Sequence, residues 1–226
     1  MASPADATGA VPLDLASQSG DPAWPQTYAR WRHRVGAALG TAALGIEHVG
    51  STSVPGLAAK PIVDIQVSVA DLADELRYVP QLEKAGLVLR SRDELHRYFR
   101  PPAGQPREVH VHVCAAGSQW ERDHQLFRDY LRADPAACRR YAEAKRANIR
   151  RWSDDGWAYT EAKTSVVLDV LEQATDWARS RTGRPHRLLT SSPVRCGDRG
   201  QQSTAILVGI PPSALAERCR VRMRRE

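Results

Sequence analysis

A loop of small and hydroxylated residues, followed shortly by an acid in an apolar segment, has the clearest chemical potential in this sequence. The loop runs from Gly50 to Ser53, and residues 62–69 are apolar and β-branched with period two, which predicts a strand. Asp64 lies within that strand, where a buried carboxylate is costly unless it has a partner. A metal ion or another bound cation is the simplest partner for this acid.

The loop itself has the residue types that bind phosphate. Gly50 has no Cβ, so a ligand can approach the backbone closely at this position. Phosphate oxygens can be held by backbone N–H groups and by the hydroxyl groups of Ser51, Thr52 and Ser53. Lys60 adds one positive charge nearby. A phosphate site beside a metal-binding carboxylate is the arrangement that phosphoryl and nucleotidyl transfer require.

The segment from Glu47 to Ile65 resembles the signature of the GrpB family. The agreement is nearly continuous and includes His48, the Gly-Ser-Thr-Ser loop, Lys60 and Asp64. This family is placed in the nucleotidyltransferase superfamily of the DNA polymerase β type. The resemblance therefore implies an α/β (α+β) fold, in which helices flank a small mixed sheet and the C-terminal part is helical.

The resemblance also implies an activity: the metal-dependent transfer of a nucleotidyl group from a nucleoside triphosphate to an acceptor that the sequence does not identify. It implies Mg²⁺ (or Mn²⁺) as the cofactor. In some actinobacterial proteins a GrpB-like domain follows dephospho-CoA kinase, which links the family to coenzyme A metabolism by association. The residues predicted to bind the nucleotide are His48, Gly50, Ser51, Thr52, Ser53, Lys60, Gln66, Arg128, Tyr141, Lys145 and Lys163.

One residue departs from the superfamily pattern, which has Gly-Ser, a short spacer and then acid-x-acid on a strand. Gly50-Ser51 and Asp64 match this pattern, but Gln66 stands where the second acid is expected. A Gln side chain coordinates a metal only through a neutral carbonyl, which is a weaker ligand for a hard divalent ion. This departure favours an alternative function, a non-catalytic module of the same fold that binds a nucleotide or another phosphate ligand.

A second cluster lies on the strand that begins near Glu108, where His110 and His112 follow at alternate positions and resemble the family's His-x-His-Val. Glu108 could supply the superfamily's third acid, or either histidine could replace it as a ligand. Two histidines on one face can also bind zinc or another transition metal, with His48 or Asp64 as the third ligand. A solvated sheet face is the remaining alternative.

The sequence thus gives two overlapping sets of predicted site residues. The predicted catalytic residues are Asp64, Glu108 and His112. The predicted metal ligands are Asp64, Glu108, His110 and His112.

Basic and aromatic residues on the later helices form a third set. The run Phe-Arg-Asp-Tyr-Leu-Arg around Arg128 resembles the family closely, and an Arg suits bidentate contact with phosphate. Tyr141 with Lys145 and Tyr159 with Lys163 form Tyr-x-x-x-Lys pairs that recur in the family. These bases are predicted to counter the nucleotide phosphates. The alternative is a solvated helix face whose tyrosines belong to the core.

The remaining pattern predicts the elements that must position these residues. Asp21-Pro22 is typical of a helix start, and apolar residues then recur at helical spacing through Leu39. Asp71 is predicted to cap a helix with Leu72, Leu76, Val79 and Leu82 on one face, interrupted at Pro80. The predicted strands lie near 46–49, 62–69, 87–90, 95–100 and 108–114. The later predicted helices begin at Ser118, Asp134 and about Ala158.

The charge distribution bears on the class of partner. Nine arginines and three acids lie in residues 184–226, which equals the net charge of +6 of the whole chain, so the remainder is neutral. A basic tail can hold RNA or anionic lipid loosely, but the folded part shows no nucleic-acid character. We therefore predict a flexible leader over 1–10, a nucleotidyltransferase-like domain over 11–182, and a disordered Arg-rich tail over 183–226.

Composition also excludes several classes of protein. No apolar run is long enough to span a bilayer, and the start of the chain lacks the features of a signal peptide. The four cysteines form no Cys-x-x-Cys pair, which argues against a disulfide framework or a cysteine zinc site. Cytoplasmic residence and no membrane partner are the resulting expectations.

Overall fold

A five-stranded mixed sheet is the centre of the computed structural model, which describes residues 21–151 and 156–182. The strands are β1 (Gly45–Val49), β2 (Val63–Val69), β3 (Val88–Arg92), β4 (His96–Arg100) and β5 (Val109–Ala115). Their order is β1-β2-β5-β4-β3; β2 and β5 are parallel, and the other neighbours are antiparallel. The predicted fold class is confirmed.

Five helices accompany the sheet within the described residues. They are α1 (Ala23–Leu39), α2 (Val79–Lys84), α3 (Gln119–Ala133), α4 (Pro135–Arg151) and α5 (Gly156–Thr182). Asp21 Oδ1 accepts a hydrogen bond from Ala23 N at 2.8 Å, which satisfies a donor at the start of α1. Ser118 Oγ accepts from Glu121 N at 3.2 Å, so the predicted cap of α3 is confirmed.

The main core lies between the sheet and α1 with α2. Alternating residues of the two central strands, including Ile65 and Val111, are fully buried on this face because strand side chains alternate. Trp31 and Val35 of α1 cover them at the helical spacing that the sequence predicts. The opposite face of β2 and β5 carries polar residues, so the predicted site residues of these two strands lie on the side away from α1.

The helical C-terminal part forms a second core that reaches the loop before β2. Val54 and Leu57, which follow the Gly-Ser-Thr-Ser loop, pack with Phe127 of α3, Tyr141 of α4 and Val167 of α5. This packing holds the three later helices against the loop. It explains how residues distant in sequence can converge on one site.

The prediction that a helix begins at Asp71 is wrong. The structure has only a single 3₁₀ turn before α2, which begins at Val79 and has Pro80 in its first turn. A proline lacks the N–H that a continuing helix needs, and it suits the first turn, so Pro80 starts this helix and does not interrupt it. Leu76 is consequently 83% exposed, whereas Leu82 is fully buried.

Several predictions fall outside the described residues. The leader over 1–10 and the tail over 183–226 are among them, so the domain boundaries stay predictions. The side chains of Tyr159 and Lys163 are likewise not described, although both residues lie in α5. Within the described ranges, no helix combines the length and apolar character that crossing a membrane requires.

Leu76 and Leu82, which the predicted helix would place on one buried face, provide a matched test of this fold. Leu82→Ala should lower the free energy of unfolding by about 2–5 kcal/mol, because it removes a fully buried side chain. Leu76→Ala should change it by less than about 0.5 kcal/mol, because that side chain is solvated. Urea denaturation of both variants checks this, and equal losses would show that a continuous helix buries both residues.

Candidate metal and phosphate site

Gly50 is fixed by its backbone conformation and by the carboxylate next to it. Its φ of 69° and ψ of −171° belong to a region that is essentially restricted to glycine. A Cβ at this position would clash with Asp64 Oδ2 and would lie 3.1 Å from Asp64 Cβ. The strand carboxylate therefore packs directly on the loop backbone, and the loop and the acid form one unit.

The hydroxyl groups of Thr52 and Ser53 form hydrogen bonds with residues in or directly before the loop. Ser53 Oγ donates to Gly50 O at 2.6 Å, and Thr52 Oγ1 shares a hydrogen bond of 3.0 Å with His48 Nε2. Arg132 of α3 donates from Nε and Nη2 to Ser53 O at 2.9 and 2.7 Å. These contacts hold the loop in shape, so Thr52 and Ser53 position the backbone at this site.

The third hydroxyl, that of Ser51, is joined by a lysine from α4. Lys145 Nζ donates to Ser51 Oγ at 3.0 Å and to Ala58 O at 2.9 Å, and it lies 5.4 Å from the ring centroid of Tyr141. Lys145 is 5% exposed, so its charge is placed in a largely desolvated position. Lys145 thus reaches the loop, whereas Tyr141 is buried in the second core; nucleotide binding by either residue stays a prediction.

Asp64 also meets the two histidines of β5. Asp64 and His110 are register partners on parallel strands, and Asp64 Oδ1 lies 3.2 Å from His110 Nδ1 and 3.7 Å from His112 Nε2. One donor atom from each of the three residues lies within 4.8 Å of the other two. Asp64 and His112 lie on neighbouring strands with their side chains on one face, as predicted. The side chains of Asp64, His110 and His112 form a candidate metal centre.

The electrostatics of this centre keep the acid ionised. Burial raises the pKa of the Asp64 carboxyl, but the neighbouring imidazoles of His110 and His112 outweigh this and hold the pKa well below its usual range. Burial lowers the pKa of His110, although Asp64 opposes the change. A carboxylate beside a largely neutral imidazole is the protonation state in which both groups can coordinate a cation.

Partly unsatisfied polar groups surround His112. Its ring stacks on Tyr98 and His96 and lies against Trp120 of α3, while its buried Nδ1 has no hydrogen-bond partner among the described residues. Gln66, the register partner of His112 on β2, is fully buried. Neither its Nε2 nor its Oε1 has a hydrogen-bond partner among the residues that the structure describes. Buried polar atoms without a partner are rare in folded proteins, and here they lie on the sheet face that carries Asp64.

The structure does not bring Glu108 to this centre, and the prediction that it shares a face with the histidines is wrong. Glu108 precedes the first residue of β5, so strand alternation does not fix its direction. Its carboxylate accepts from Arg30 Nη2 at 2.6 Å and from Trp31 Nε1 at 2.9 Å, both on α1. Glu108 therefore fastens α1 to the sheet on the opposite side.

Arg128 is also used within the fold. Its Nη1 donates to Glu47 Oε2 at 2.8 Å and to His48 O at 3.0 Å, and its Nε donates to Asp129 Oδ1 at 2.7 Å. These bonds tie α3 to β1 directly before the loop. A phosphate contact of Arg128 stays a prediction, and the structure gives this residue a positioning contact.

His48 supports the loop from the α1 side of the sheet. It is the register partner of Ile65 on the core face, and its ring stacks on Tyr28 with centroids 4.6 Å apart. Burial lowers the pKa of His48 to about 4, although the charge of Asp64 opposes this. His48 therefore contacts the loop through its hydrogen bond with Thr52, from the face of the sheet opposite to Asp64.

A basic edge beside the metal centre includes one residue that sequence reasoning missed. Arg107 Nε donates to His110 Nε2 at 3.3 Å, and its charge adds to burial in lowering the pKa of Lys60. Among the described residues neither Lys60 nor Arg107 forms an ion pair with an acid. Arg107 follows a Pro-rich turn whose path the sequence does not specify, so only its proximity to His110 in sequence could have indicated it.

Comparisons with known proteins bear on this geometry. A family model described as GrpB protein matches residues 17–173. A UPF0157 protein of Streptomyces coelicolor is 44% identical over 166 residues, which cover 74% of this chain and 87% of that protein. The crystal structure of conserved protein GrpB from Enterococcus faecalis matches with a TM-score of 0.65 and 28% identity, over 71% of this chain and 98% of that one.

A third relative has a name that states an activity. A protein of Mycolicibacterium paratuberculosis named dephospho-CoA kinase is 33% identical over 191 residues, which cover 73% of this chain. The matched segment covers only 47% of that protein. The similarity therefore concerns one part of that relative.

Two glycines test the packing of the acid on the loop. Gly50 and Gly56 both have positive φ, but a Cβ at Gly56 would meet nothing within 4 Å. Gly56→Ala should therefore cost about 1–2 kcal/mol of strain, and Gly50→Ala at least about 1 kcal/mol more because Asp64 must move. Thermal and urea denaturation measure both, and equal costs would contradict direct packing of Asp64 on Gly50.

The depressed pKa of His48 predicts a pH dependence. The unfolded chain takes up this proton near pH 6.5 and the folded protein only near pH 4, so the free energy of unfolding should fall as pH decreases through that window. His48 alone contributes up to about 3 kcal/mol of this loss. His48→Gln should flatten the dependence measured by urea denaturation, while the exposed control His33→Gln should leave it unchanged. Equal slopes in all three proteins would refute this account of His48.

Proposed function

The chain belongs to the GrpB family, and we propose that it is a nucleotidyltransferase-like protein that binds a nucleoside triphosphate on the loop from Gly50 to Ser53. Three separate segments support this proposal by meeting at one point. They supply a loop position that only glycine can occupy, a carboxylate packed against it, and a lysine ammonium 3.0 Å from the Ser51 hydroxyl. The meeting of Asp64, Ser51 and Lys145 is the observation that carries the proposal.

Positive charge around the loop suits the phosphates of a nucleotide. Lys145 holds the Ser51 hydroxyl, and the basic edge of Lys60 and Arg107 lies next to His110. Burial and the charge of Arg107 lower the pKa of Lys60, and an anion bound between these two cations would relieve their repulsion. A triphosphate reaching from Ser51 toward this edge would supply that anion.

The proposed reaction joins an acceptor oxygen to the α-phosphorus of the nucleotide. The new P–O bond forms while the bond from the α-phosphorus to the bridging oxygen of the β-phosphate breaks, so pyrophosphate leaves and the acceptor's proton passes to solvent. Lys145 and the Ser51 hydroxyl would hold the leaving phosphates, and Asp64 would orient the reacting phosphate beside the loop. A divalent ion, when bound, adds charge that stabilises the phosphate in the transition state.

A non-catalytic binding module is the second candidate, and the surroundings of Asp64 favour it. Gln66 is neutral and buried, and Glu108 is held by Arg30 and Trp31, so among the described residues the metal centre has the single carboxylate of Asp64, where the superfamily uses several. The same loop and the same lysine would then hold a phosphate ligand without turnover.

One relative suggests which acceptors to assay first. The matched protein named dephospho-CoA kinase shares about the same segment with this chain, over 47% of its own length. This similarity supports coenzyme A metabolism as the setting of the reaction. Dephospho-CoA therefore belongs among the first acceptors to be assayed.

Pyrophosphate release from each nucleoside triphosphate, across a panel of acceptors, tests the catalytic proposal. Wild type should release pyrophosphate, and Asp64→Asn should abolish release while nucleotide binding without metal persists. Lys145→Gln should weaken nucleotide binding roughly 10–100-fold, the value of one charge-assisted hydrogen bond, whereas Lys84→Gln on the exposed side of α2 should not.

Two results would decide against transfer. Release that survives Asp64→Asn unchanged would remove Asp64 from the mechanism. No release by wild type, combined with nucleotide binding that tightens in Asp64→Asn because a negative charge is lost beside the phosphates, would identify the binding module. Circular dichroism of each variant separates these outcomes from unfolding.

A further inference from the structure

The donor atoms at the centre do not fit the ion that the superfamily implies. Mg²⁺ prefers carboxylate, phosphate and water oxygens in octahedral geometry and has little affinity for imidazole. Here the described residues offer one carboxylate, that of Asp64, with two imidazoles. The two other candidate oxygen ligands do not help, because Gln66 is neutral and Glu108 bonds to α1.

We propose that Asp64, His110 and His112 form a three-ligand site for an imidazole-accepting transition ion of the Zn²⁺ class, in place of Mg²⁺. The separations of 3.2 and 3.7 Å from Asp64 Oδ1 to the two ring nitrogens support this. Ligands bound tetrahedrally at about 2.0–2.1 Å from one zinc ion are about 3.3 Å apart, so these atoms need little movement to share an ion. The inference deepens the proposed function and rests on it only for the role of the ion.

The position of His112 supports a shared cation. Its Nε2 faces Asp64 Oδ1 at 3.7 Å, a separation that an ion bound to both atoms would bridge. Stacking on Tyr98 and His96 already fixes the plane of the His112 ring. The ring is therefore held with one nitrogen directed toward the carboxylate before any ion binds.

His110 connects the ion to the basic edge. Its Nδ1 now faces Asp64 and its Nε2 accepts from Arg107. An ion bound at Nδ1 takes the place of the proton there, and the ring proton then resides on Nε2, so Arg107 loses its acceptor. The guanidinium would then be available to an anionic ligand at the same edge.

A site with three protein ligands also leaves room for a substrate. Catalytic zinc sites keep one position for water or substrate, and closed structural sites do not. Two neutral imidazoles and one carboxylate leave a divalent ion with a net positive charge. Asp64, which would hold the ion together with both histidines, also packs on Gly50, so a ligand on the loop would be close to such an ion. A phosphate oxygen is therefore the ligand expected there.

Metal binding to the full chain, stripped with a chelator and without nucleotide, tests this inference. Titration with Co²⁺ should give visible d–d absorption at one ion per chain, Zn²⁺ should abolish it, and a large excess of Mg²⁺ should not. Co²⁺ is chosen because thiolate ligation would add an intense near-ultraviolet band, which identifies any binding by the four cysteines.

Variants assign the ligands. His110→Ala and His112→Ala should each weaken Co²⁺ binding by more than the roughly 10–100-fold typical of an outer-shell partner. The exposed His33→Ala on α1 should bind as wild type does. Gln66→Glu, which adds a carboxylate oxygen next to His112, should raise the affinity for Mg²⁺. Folding of each variant is checked by circular dichroism, and Gln66→Glu provides a gain that unfolding cannot mimic.

Three outcomes would overturn the proposal: no Co²⁺ absorption, displacement of Co²⁺ by Mg²⁺ at comparable concentration, or binding that His112→Ala leaves unchanged. The result is independent of transfer. Co²⁺ bound as expected in a protein that releases no pyrophosphate would remove the catalytic function and leave this site standing. Pyrophosphate release with Mg²⁺ by a chain that does not bind Co²⁺ would do the reverse.

Discussion

The contact between the Asp64 carboxylate and the bare Cα of Gly50 is the constraint on which the site depends. No side chain fits between the strand and the loop, because a Cβ at Gly50 would clash with Asp64 Oδ2. The loop must therefore bend in a conformation restricted to glycine, and the acid is fixed toward the two histidines of β5. The loop backbone proposed to bind phosphate and the carboxylate proposed to bind the metal are thus parts of one packed unit.

The rest of the protein holds this unit from several directions. Arg132 and Arg128 of α3 bind the carbonyls of Ser53 and His48 on either side of the loop. Lys145 reaches Ser51 from α4, which itself packs with α5 and the residues after the loop. The helical C-terminal part therefore has a role in shaping the site, in addition to its role in the core. Arg128 and Arg132 keep the loop in place, so the charges proposed to meet a ligand are those of Lys145, Lys60 and Arg107.

The sequence was sufficient for the features that local pattern determines. The alternation of β2, the cap of α3 and the stripe of α1 all follow from spacing, and the structure has them. Pro80 shows where local pattern misleads, since the same residue can interrupt a helix or start one. Glu108 shows the limit of strand alternation, because a residue before the first strand pair is free to turn to the other face.

Long-range pairs were beyond sequence reasoning for a physical reason. The partners Arg128 and Glu47 are 81 positions apart, and Arg30 and Glu108 are 78 apart, so no periodicity links them. The residue types at the centre were nevertheless visible, and both a transition metal and Mg²⁺ were consistent with them. The structure bears on this choice by directing Glu108 to α1 and by placing both histidines beside Asp64.

The central claim is that one centre joins a metal ion and the phosphates of a nucleotide. The most direct measurement is a crystal structure of the full chain with Zn²⁺ and a non-hydrolysable nucleoside triphosphate, with diffraction recorded on both sides of the zinc absorption edge. The account predicts one anomalous peak bonded to Asp64, His110 and His112, with a phosphate oxygen completing the coordination and the triphosphate on Ser51 and Lys145. A zinc peak bonded to other residues, or a triphosphate bound away from the loop, would contradict it.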